Sequence, residues 1–325
     1  MVSIATVREN NSAITGLYGS GLVGVFVGGT SGIGESTARA FIRSTHASRA
    51  YLVGRDQARA SRIIEELQQM HPDAQITFIK SDVFLLREVD EACRTIQQNE
   101  DKVNILFLSP GTGTMKGRDE TAEGLDKKLS LHYYSRMRFV ANLLPQLQKA
   151  GAATTADGNG PPLSRVVSVL EAGHEAALQL DDLPLQTHYS LRNCAKHATT
   201  MTSVAMEHLA AAYPQVSFVH SFPGLVRTRL DRDFGTVTKC ALAAVMVLAK
   251  PWETPLGESG ERHLFAATGL RFPARGLGQN GGREVAQGSD GDAGSGELMR
   301  QYRAGGVRER IWKHTLDVFA AVRGG

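Results

Sequence analysis

Residues 28–34, Gly28-Gly29-Thr30-Ser31-Gly32-Ile33-Gly34, decide the fold of this chain of 325 residues. The apolar run Leu22-Val23-Gly24-Val25-Phe26-Val27 precedes them, and a helical pattern follows from Glu35. Glycine allows tight turns and a close backbone approach, and the N-terminus of a helix presents unpaired N–H groups, so this order favours a bound phosphate group. Strand, glycine-rich turn and helix together predict a pyrophosphate cradle, and the alternative is an ordinary tight loop.

The spacing Gly-x-x-x-Gly-x-Gly resembles the TGxxxGxG loop of the short-chain dehydrogenase/reductase family, although Val27 stands where that family usually has Thr. The resemblance covers roughly residues 20 to 270. It implies an α/β fold with a doubly wound parallel sheet (Rossmann-type) and a nicotinamide dinucleotide as cofactor. The loop residues that the resemblance places around this cofactor are Gly28, Thr30, Ser31, Gly32, Ile33 and Gly34.

Composition argues against several other classes of protein. Hydrophobic residues make up 42% and charged residues 21% of the chain, and the formal net charge of +3 gives no indication of a nucleic-acid partner. The three cysteines are isolated, which predicts a reducing, cytoplasmic location. The histidines show no metal-ligand spacing, so no metal is expected. The longest apolar run, Cys240 to Ala249, is too short to span a membrane, and the N-terminus lacks a secretory signal.

The end of the second predicted strand, Ala50-Tyr51-Leu52-Val53, indicates which dinucleotide binds. An acidic residue at this position would bind the ribose hydroxyls of NAD, whereas here Gly54 and Arg55 follow the strand. Because an arginine suits a bidentate phosphate contact, we predict NADP(H), with Arg55 on the 2′-phosphate. The alternative for Arg55 is a solvated surface side chain.

Two further segments match cofactor-binding positions of the family. The third strand ends before Asp82 and Val83, which the resemblance places at the adenine; Asp82 is alternatively a helix N-cap, and both roles can coexist. The family's NNAG motif is reduced to Gly111 of Leu108-Ser109-Pro110-Gly111. The sixth strand leads into a good match to the PGxVxT motif, whose cofactor-binding residues are Pro223, Gly224, Val226 and Thr228.

The four residues aligned with the family's catalytic groups depart from its pattern. Tyr189 matches the proton-transferring tyrosine of YxxxK, but Asn193 replaces the lysine and supplies no charge, and Lys196 is a remote substitute. His132 stands where the family has an asparagine, and Glu171 where it has a serine. The resemblance makes these four the candidate catalytic residues, with Tyr189 and Asn193 also on the nicotinamide ribose. The alternatives are packed side chains for Tyr189 and His132 and a solvated loop residue for Glu171.

These observations divide the chain into a lead-in over 1–20, an NADP-binding domain over 21–270, and a C-terminal extension over 271–325. Within the domain we expect residues 229–262 to cap the substrate pocket and to end in a glycine-bearing connecting loop over 257–262. The extension is predicted to hold a mobile loop over 276–296 and a helix that docks on the domain or on a partner subunit, as in a homo-oligomer.

The sequence therefore predicts an NADP(H)-dependent oxidoreductase that reduces a hydrophobic carbonyl compound or oxidises the alcohol. The chain most resembles divergent members of the family that are common in fungi, which suggests a polyketide- or terpenoid-like substrate in secondary metabolism. The alternative is an NADP-binding protein of the same fold without redox activity, with a binding role or a non-redox cyclase or isomerase activity. This alternative is supported because most of the residues that depart from the family's motifs stand at the positions of its catalytic groups, and few stand at its adenine-binding positions.

Overall fold

The structure, a computed structural model, describes residues 2–153, 160–228, 250–274, 285–286 and 293–323. The predicted pocket cap lies outside these residues as far as residue 249. The loop predicted over 276–296 also lies outside them, apart from residues 285–286 and 293–296.

One parallel sheet forms the centre of the described part of the molecule, and its seven strands have the order β3-β2-β1-β4-β5-β6-β7. The order reverses between β1 and β4, which confirms the doubly wound fold predicted from the sequence. The strands are β1 Val23–Val27, β2 Arg49–Gly54, β3 Gln75–Lys80, β4 Ile105–Leu108, β5 Arg165–Val169, β6 Ser217–Phe222 and β7 Val285–Ala286.

Helices cover both faces of the sheet. In chain order they are α1 Ile4–Ser12, α2 Ile14–Tyr18, α3 Gly32–Ser44, α4 Gln57–Met70, α5 Leu86–Asn99, α6 Lys127–Leu129, α7 Ser135–Ala152, α8 Leu191–Ala212, α9 Leu256–Thr268, α10 Ala293–Ala304 and α11 Val307–Arg323. A π-helical turn, Ser130–Tyr134, joins α6 to α7, and single 3₁₀ turns lie at Leu180–Asp182 and Lys250–Trp252. No helix in the described ranges is long and apolar enough to cross a membrane.

The central strands β1 and β4 are apolar and buried along their whole length because helices cover both faces of the sheet there. All five residues of β1 are buried. Val25 packs in one hydrophobic core with helices α5, α7 and α8, and Phe26 packs in the other beside Phe41 and Phe107. Val27 pairs with Val53 on one side and with Leu108 on the other, so the carboxyl ends of three strands meet at one edge.

The two ends of the chain pack on this sheet domain. The lead-in forms the two helices α1 and α2, and the Tyr18 hydroxyl donates to the Thr268 carbonyl at the end of α9 (2.5 Å). The C-terminal helix α11 packs against α8 and buries Ile311, and the hydroxyl groups of Tyr133 and Thr315 lie 2.6 Å apart. The sequence left two surfaces open for this helix, the domain and a partner subunit, and in the structure the helix packs on the domain.

The connecting loop predicted over 257–262 is wrong, because α9 runs unbroken through these residues. Its inner face buries Ser259, Gly260 and His263 against the domain. Two glycines and several charged residues made this segment resemble a loop in the sequence. The helix forms because burial of its inner face outweighs the low helix propensity of glycine.

Candidate active site

A cleft of about 450 Å³ opens at the carboxyl edge of the sheet, where the strand order reverses. Loops that follow β1 to β6 all contribute to its lining. In doubly wound sheets, ligands bind in this crevice. The carboxyl ends of several strands, unpaired N–H groups and loop side chains all meet there. The predicted site residues are therefore expected to line this cleft.

The glycine-rich turn forms one wall of the cleft and depends on its glycines. Gly28 and Gly32 have φ values of +82° and +58°, which other residues rarely adopt. A Cβ on Gly34 would clash with the carbonyl oxygen of Gly28 and lie 2.5 Å from the Ser109 hydroxyl oxygen. Gly34 therefore packs behind the turn, and its neighbours in the turn line the cleft. No side chain caps the N-terminus of α3, which suits a phosphate ligand.

The ends of β2 and β3 form the part of the cleft predicted for adenosine. Arg55 is 46% exposed, its Nη1 lies 3.8 Å from Asp82 Oδ1, and its guanidinium group lies 5.4 Å from the ring centroid of Phe84. Asp82 Oδ1 is shielded from solvent and has no hydrogen-bond partner among the residues that the structure describes. Arg55, Asp82 and Val83 all line the cleft. The Asp82 oxygen, which accepts no hydrogen bond, and the half-exposed Arg55 guanidinium group thus both belong to residues that line the cleft, where they are available to a nucleotide ligand.

Asp82 does not cap α5, the alternative role that the sequence left open. The helix begins at Leu86, and the Glu123 carboxylate accepts hydrogen bonds from the backbone N–H groups of Leu86 (2.7 Å) and Arg87 (3.0 Å). Only the backbone carbonyl of Asp82 takes part in this turn, where it accepts from Leu85 N (2.9 Å). The Asp82 side chain is therefore available to a ligand.

The opposite part of the cleft lies over β4, β5 and β6. Gly111, Pro223, Gly224 and Thr228 line it as the sequence predicts, whereas Val226 does not. A Cβ on Gly32 would lie 3.4 Å from Thr228 Cγ2, so the segment after β6 meets the glycine-rich turn. Apolar side chains that no family motif indicated complete this end: Pro110, Leu131, Val169, Leu170 and Phe222.

His132 and Glu171 also line this end of the cleft. His132 lies in the π-helical turn, and its Nε2 accepts a hydrogen bond from the backbone N–H of Thr112 (3.2 Å). Burial first, and then the charges of Arg136 and Lys128, lower the pKa of His132 to about 3. The imidazole is therefore neutral at neutral pH, with its proton assigned to Nδ1 by the contact at Nε2. Glu171 is exposed at the rim.

Tyr189, which the sequence predicts at the nicotinamide, is not among the residues that line the cleft. Helix α8 begins at Leu191, so Tyr189 lies two residues before the helix. Its hydroxyl group is buried, and burial together with the nearby Cys194 and Asp126 raises its pKa. Lys128 Nζ lies 5.5 Å from the centroid of the Tyr189 ring.

Asn193 is also absent from the cleft lining. Its Nδ2 donates to the carbonyl oxygen of His188 (2.8 Å), and its backbone N–H donates to the hydroxyl of Ser190, the N-cap of α8 (3.0 Å). The side chain that replaces the family's lysine thus helps to begin the helix. Of the four candidate catalytic residues, the structure brings together His132 and Glu171 and leaves Tyr189 and Asn193 apart from them.

Sequence reasoning missed Arg136, which lines the cleft and is only 1% exposed. Its Nη1 donates to Ser168 Oγ (2.8 Å) and to the Val169 carbonyl (2.7 Å), and its Nη2 donates to the Pro110 carbonyl (2.7 Å). Burial lowers the pKa of Arg136 to about 9, so it stays charged at neutral pH. The signal in the sequence is a charged residue one helical turn after His132, on the face of a helix that is otherwise apolar.

No cluster of three or more histidine, cysteine or acidic side chains within the described ranges has the geometry to hold a metal ion. Within the described residues, the adenosine end of the cleft offers backbone N–H groups, the Asp82 Oδ1 atom, which accepts no hydrogen bond, and the Arg55 guanidinium group. These groups fit an anionic dinucleotide.

Comparisons with known proteins agree with this geometry. The sequence profile of the family described as short chain dehydrogenase matches residues 23–155. An oxidoreductase of Emericella nidulans is 40% identical over 97% of both chains. Among solved structures, L-sorbose reductase of Gluconobacter frateurii, complexed with NADPH and L-sorbose, aligns with a TM-score of 0.56 and 19% identity over 77% of this chain and 90% of that one. The MalC Reductase/Diels-Alderase of Malbranchea aurantiaca aligns with a TM-score of 0.56 and 14% identity over 82% and 95% of the two chains.

Proposed function

The chain belongs to the short-chain dehydrogenase/reductase family, and from this premise we propose that it is an NADP(H)-dependent oxidoreductase that reduces a hydrophobic carbonyl compound or oxidises the corresponding alcohol. The observation that carries the proposal is the cleft. One continuous space runs from a glycine-rich phosphate cradle and Arg55 to an end lined by Leu131, Leu170 and Phe222.

The adenosine end supports NADP(H) over NAD(H). Gly54 leaves no carboxylate at the tip of β2 to bind ribose hydroxyls, and Arg55 offers a guanidinium group for a 2′-phosphate. Asp82 Oδ1 would accept from the adenine amino group. The solved L-sorbose reductase of the same fold was complexed with NADPH. When bound, the cofactor supplies or accepts a hydride.

The apolar end would exclude water from a carbonyl group and hold it by packing. Reduction forms a C–H bond at the carbonyl carbon, moves the C=O π pair onto oxygen and requires one proton there. Glu171 at the exposed rim would take this proton from solvent and deliver it, and the neutral His132 would orient the substrate oxygen by donating a hydrogen bond from Nδ1. Tyr189 and Asn193 have no part in this proposal.

We further propose a cytoplasmic role in fungal secondary metabolism, on a polyketide- or terpenoid-like carbonyl compound. The support is the similarity to the Emericella oxidoreductase and the apolar lining of the cleft.

A second candidate function has an observation of its own. The tyrosine and the residue that replaces the lysine lie away from the cleft, and a protein of the same fold is described as a Reductase/Diels-Alderase. The chain would then bind NADP(H) without transferring a hydride and act as a binding protein or as a non-redox cyclase or isomerase.

The test is NADPH consumption by the purified chain with a panel of hydrophobic ketones and aldehydes, beside a direct NADPH binding titration. The proposal expects saturable binding and turnover of at least one carbonyl compound. Tight binding without turnover of any compound would favour the second candidate. Absence of NADPH binding would contradict both.

A further inference from the structure

Arg136 is a buried cation without an acidic partner among the described residues. Its three hydrogen bonds all go to neutral oxygen atoms, those of Ser168, Val169 and Pro110. Its Nε has no hydrogen-bond partner among the residues that the structure describes. Burying a charge without a counter-ion costs free energy, so a charge kept in this way calls for an explanation.

The position of Arg136 in the fold indicates what its charge acts on. The guanidinium group ties together the carboxyl ends of β4 and β5, at Pro110 and Val169. In the proposed function, Arg55 would hold the adenosine half over β2 and β3, and the glycine-rich turn after β1 would hold the phosphates. Because the sheet continues from β1 to β4 and β5, the nicotinamide half of the dinucleotide must extend towards Arg136.

The other ionisable groups near this end do not cancel the charge of Arg136. The pKa of His132 is lowered to about 3 and that of His220 to about 4, burial being the main cause in each case, so both are neutral at neutral pH. The Glu175 carboxylate accepts a hydrogen bond from the Ser203 hydroxyl (2.6 Å) and does not line the cleft, whereas Arg136 does. Glu171 lines the cleft but is exposed, so solvent screens its charge.

The two redox states of the cofactor differ at the ring that lies nearest this charge. The nicotinamide ring is neutral in NADPH and carries a positive charge in NADP⁺. A fixed buried cation repels only the oxidised ring. We propose that Arg136 makes the cleft bind NADPH more tightly than NADP⁺, so that the chain loads the reduced cofactor, releases the oxidised one and works as a carbonyl reductase. This inference rests on the proposed function.

The size of the effect follows from Coulomb's law. Two unit charges roughly 10 Å apart at an effective dielectric constant of about 20 change a dissociation constant by on the order of tenfold. When bound, NADPH would supply the hydride to the carbonyl carbon, and the substrate oxygen would receive its proton from solvent through Glu171, as in the proposed function. The same cation therefore favours the negative charge that develops on that oxygen.

The test is calorimetric titration of the full chain with NADPH and with NADP⁺, in one buffer, for the wild type and three variants. Arg136→Met removes the charge and the hydrogen bonds, whereas Arg136→Lys keeps the charge and loses the three-way hydrogen bonding. A purely structural role of Arg136 would weaken both forms of the cofactor equally and leave their ratio unchanged. A charge effect changes the ratio.

Arg165→Met is the matched control. Arg165 on β5 is also buried, donates to the carbonyl oxygens of Ala266 (3.1 Å) and Gly269 (2.9 Å), and has an Nε without a partner in the described residues. It does not line the cleft. Its loss should therefore lower stability without changing the preference between NADPH and NADP⁺.

We expect the wild type, Arg136→Lys and Arg165→Met to bind NADPH on the order of tenfold more tightly than NADP⁺, and Arg136→Met to bind the two forms equally. Equal affinities in the wild type, equal affinities in Arg136→Lys, or an unchanged ratio in Arg136→Met would each overturn the proposal. If Arg136→Met does not fold, the first two comparisons still decide. A wild type that binds neither form would overturn the proposed function as well, whereas a wild type that binds both equally would overturn this inference alone.

Discussion

Tyr189 illustrates how one replaced residue changes a site. A lysine one helical turn after the tyrosine would hold a charge near the phenol and lower its pKa, whereas Asn193 carries none. Here the Asn193 amide is bonded to the His188 carbonyl, and burial raises the pKa of Tyr189. A phenol of this kind is a poor proton donor near neutral pH. The chemistry of the cleft then depends on the residues that line it.

The first prediction compares Tyr189→Phe with Glu171→Gln. Because Tyr189 lies outside the cleft lining, its loss should leave kcat within about threefold of the wild type, whereas loss of the Glu171 carboxylate should lower kcat by about 10²-fold or more, as is typical of general acid–base catalysis. Steady-state kinetics on the best carbonyl compound of the panel would measure both. Turnover that disappears in Tyr189→Phe while NADPH still binds would restore the tyrosine to its family role.

At the scale of the element, α9 packs closely on α3. A Cβ on Gly260 would clash with the Ser36 hydroxyl oxygen and lie 2.6 Å from the Ser36 carbonyl oxygen. Gly257, on the same helix, has no atom of the described residues within 4 Å of the corresponding position. The two glycines thus separate the effect of close packing from the effect of helix propensity.

Gly260→Ala should lower the free energy of unfolding by about 1–3 kcal/mol, because overpacking outweighs the gain in helix propensity. Gly257→Ala should leave it unchanged or raise it by up to about 1 kcal/mol. Urea unfolding of the two variants beside the wild type measures the difference. Equal effects of the two substitutions would show that α9 does not approach α3 in this way.

A helix or strand could be predicted from the sequence where one local pattern is sufficient to identify it. The apolar run before Gly28 and the turn after it identify β1 and α3, and with them the topology. The start of α8 was not predictable, because it depends on the Ser190 cap and on the His188 contact of Asn193. Arg136 was missed because no motif contains it, and its importance comes from β4 and β5, which are remote in sequence.

On the scale of the whole molecule, buried neutral histidines make stability depend on pH. His263 in α9 is fully buried, lies against the Phe107 ring (5.8 Å between centroids) and has its Nδ1 2.6 Å from the Ser259 carbonyl. Burial lowers its pKa to about 4, against about 6.5 in an unfolded chain. The unfolded state therefore binds more protons between these two values, and the stability held above pH 6.5 is lost as pH falls.

We expect the free energy of unfolding to fall by about 3 kcal/mol through His263 alone between about pH 6.5 and pH 4, with His220 and His132 adding in the same direction. His263→Phe should remove about one proton from the slope of stability against pH in this window. Urea unfolding at several pH values measures that slope. A slope that does not change in the variant would contradict the buried neutral state of His263.

The central claim is that the cleft binds NADP(H) with Arg55 on the 2′-phosphate, and parallel calorimetric titrations with NADPH and NADH test it most directly. We predict that the wild type binds NADPH at least about tenfold more tightly than NADH, because a charge-assisted hydrogen bond contributes about 1.5–3 kcal/mol. Arg55→Ala should lose this preference by binding NADPH more weakly while NADH binding stays unchanged. Equal affinities for the two cofactors in the wild type, or a preference that survives in Arg55→Ala, would contradict the account.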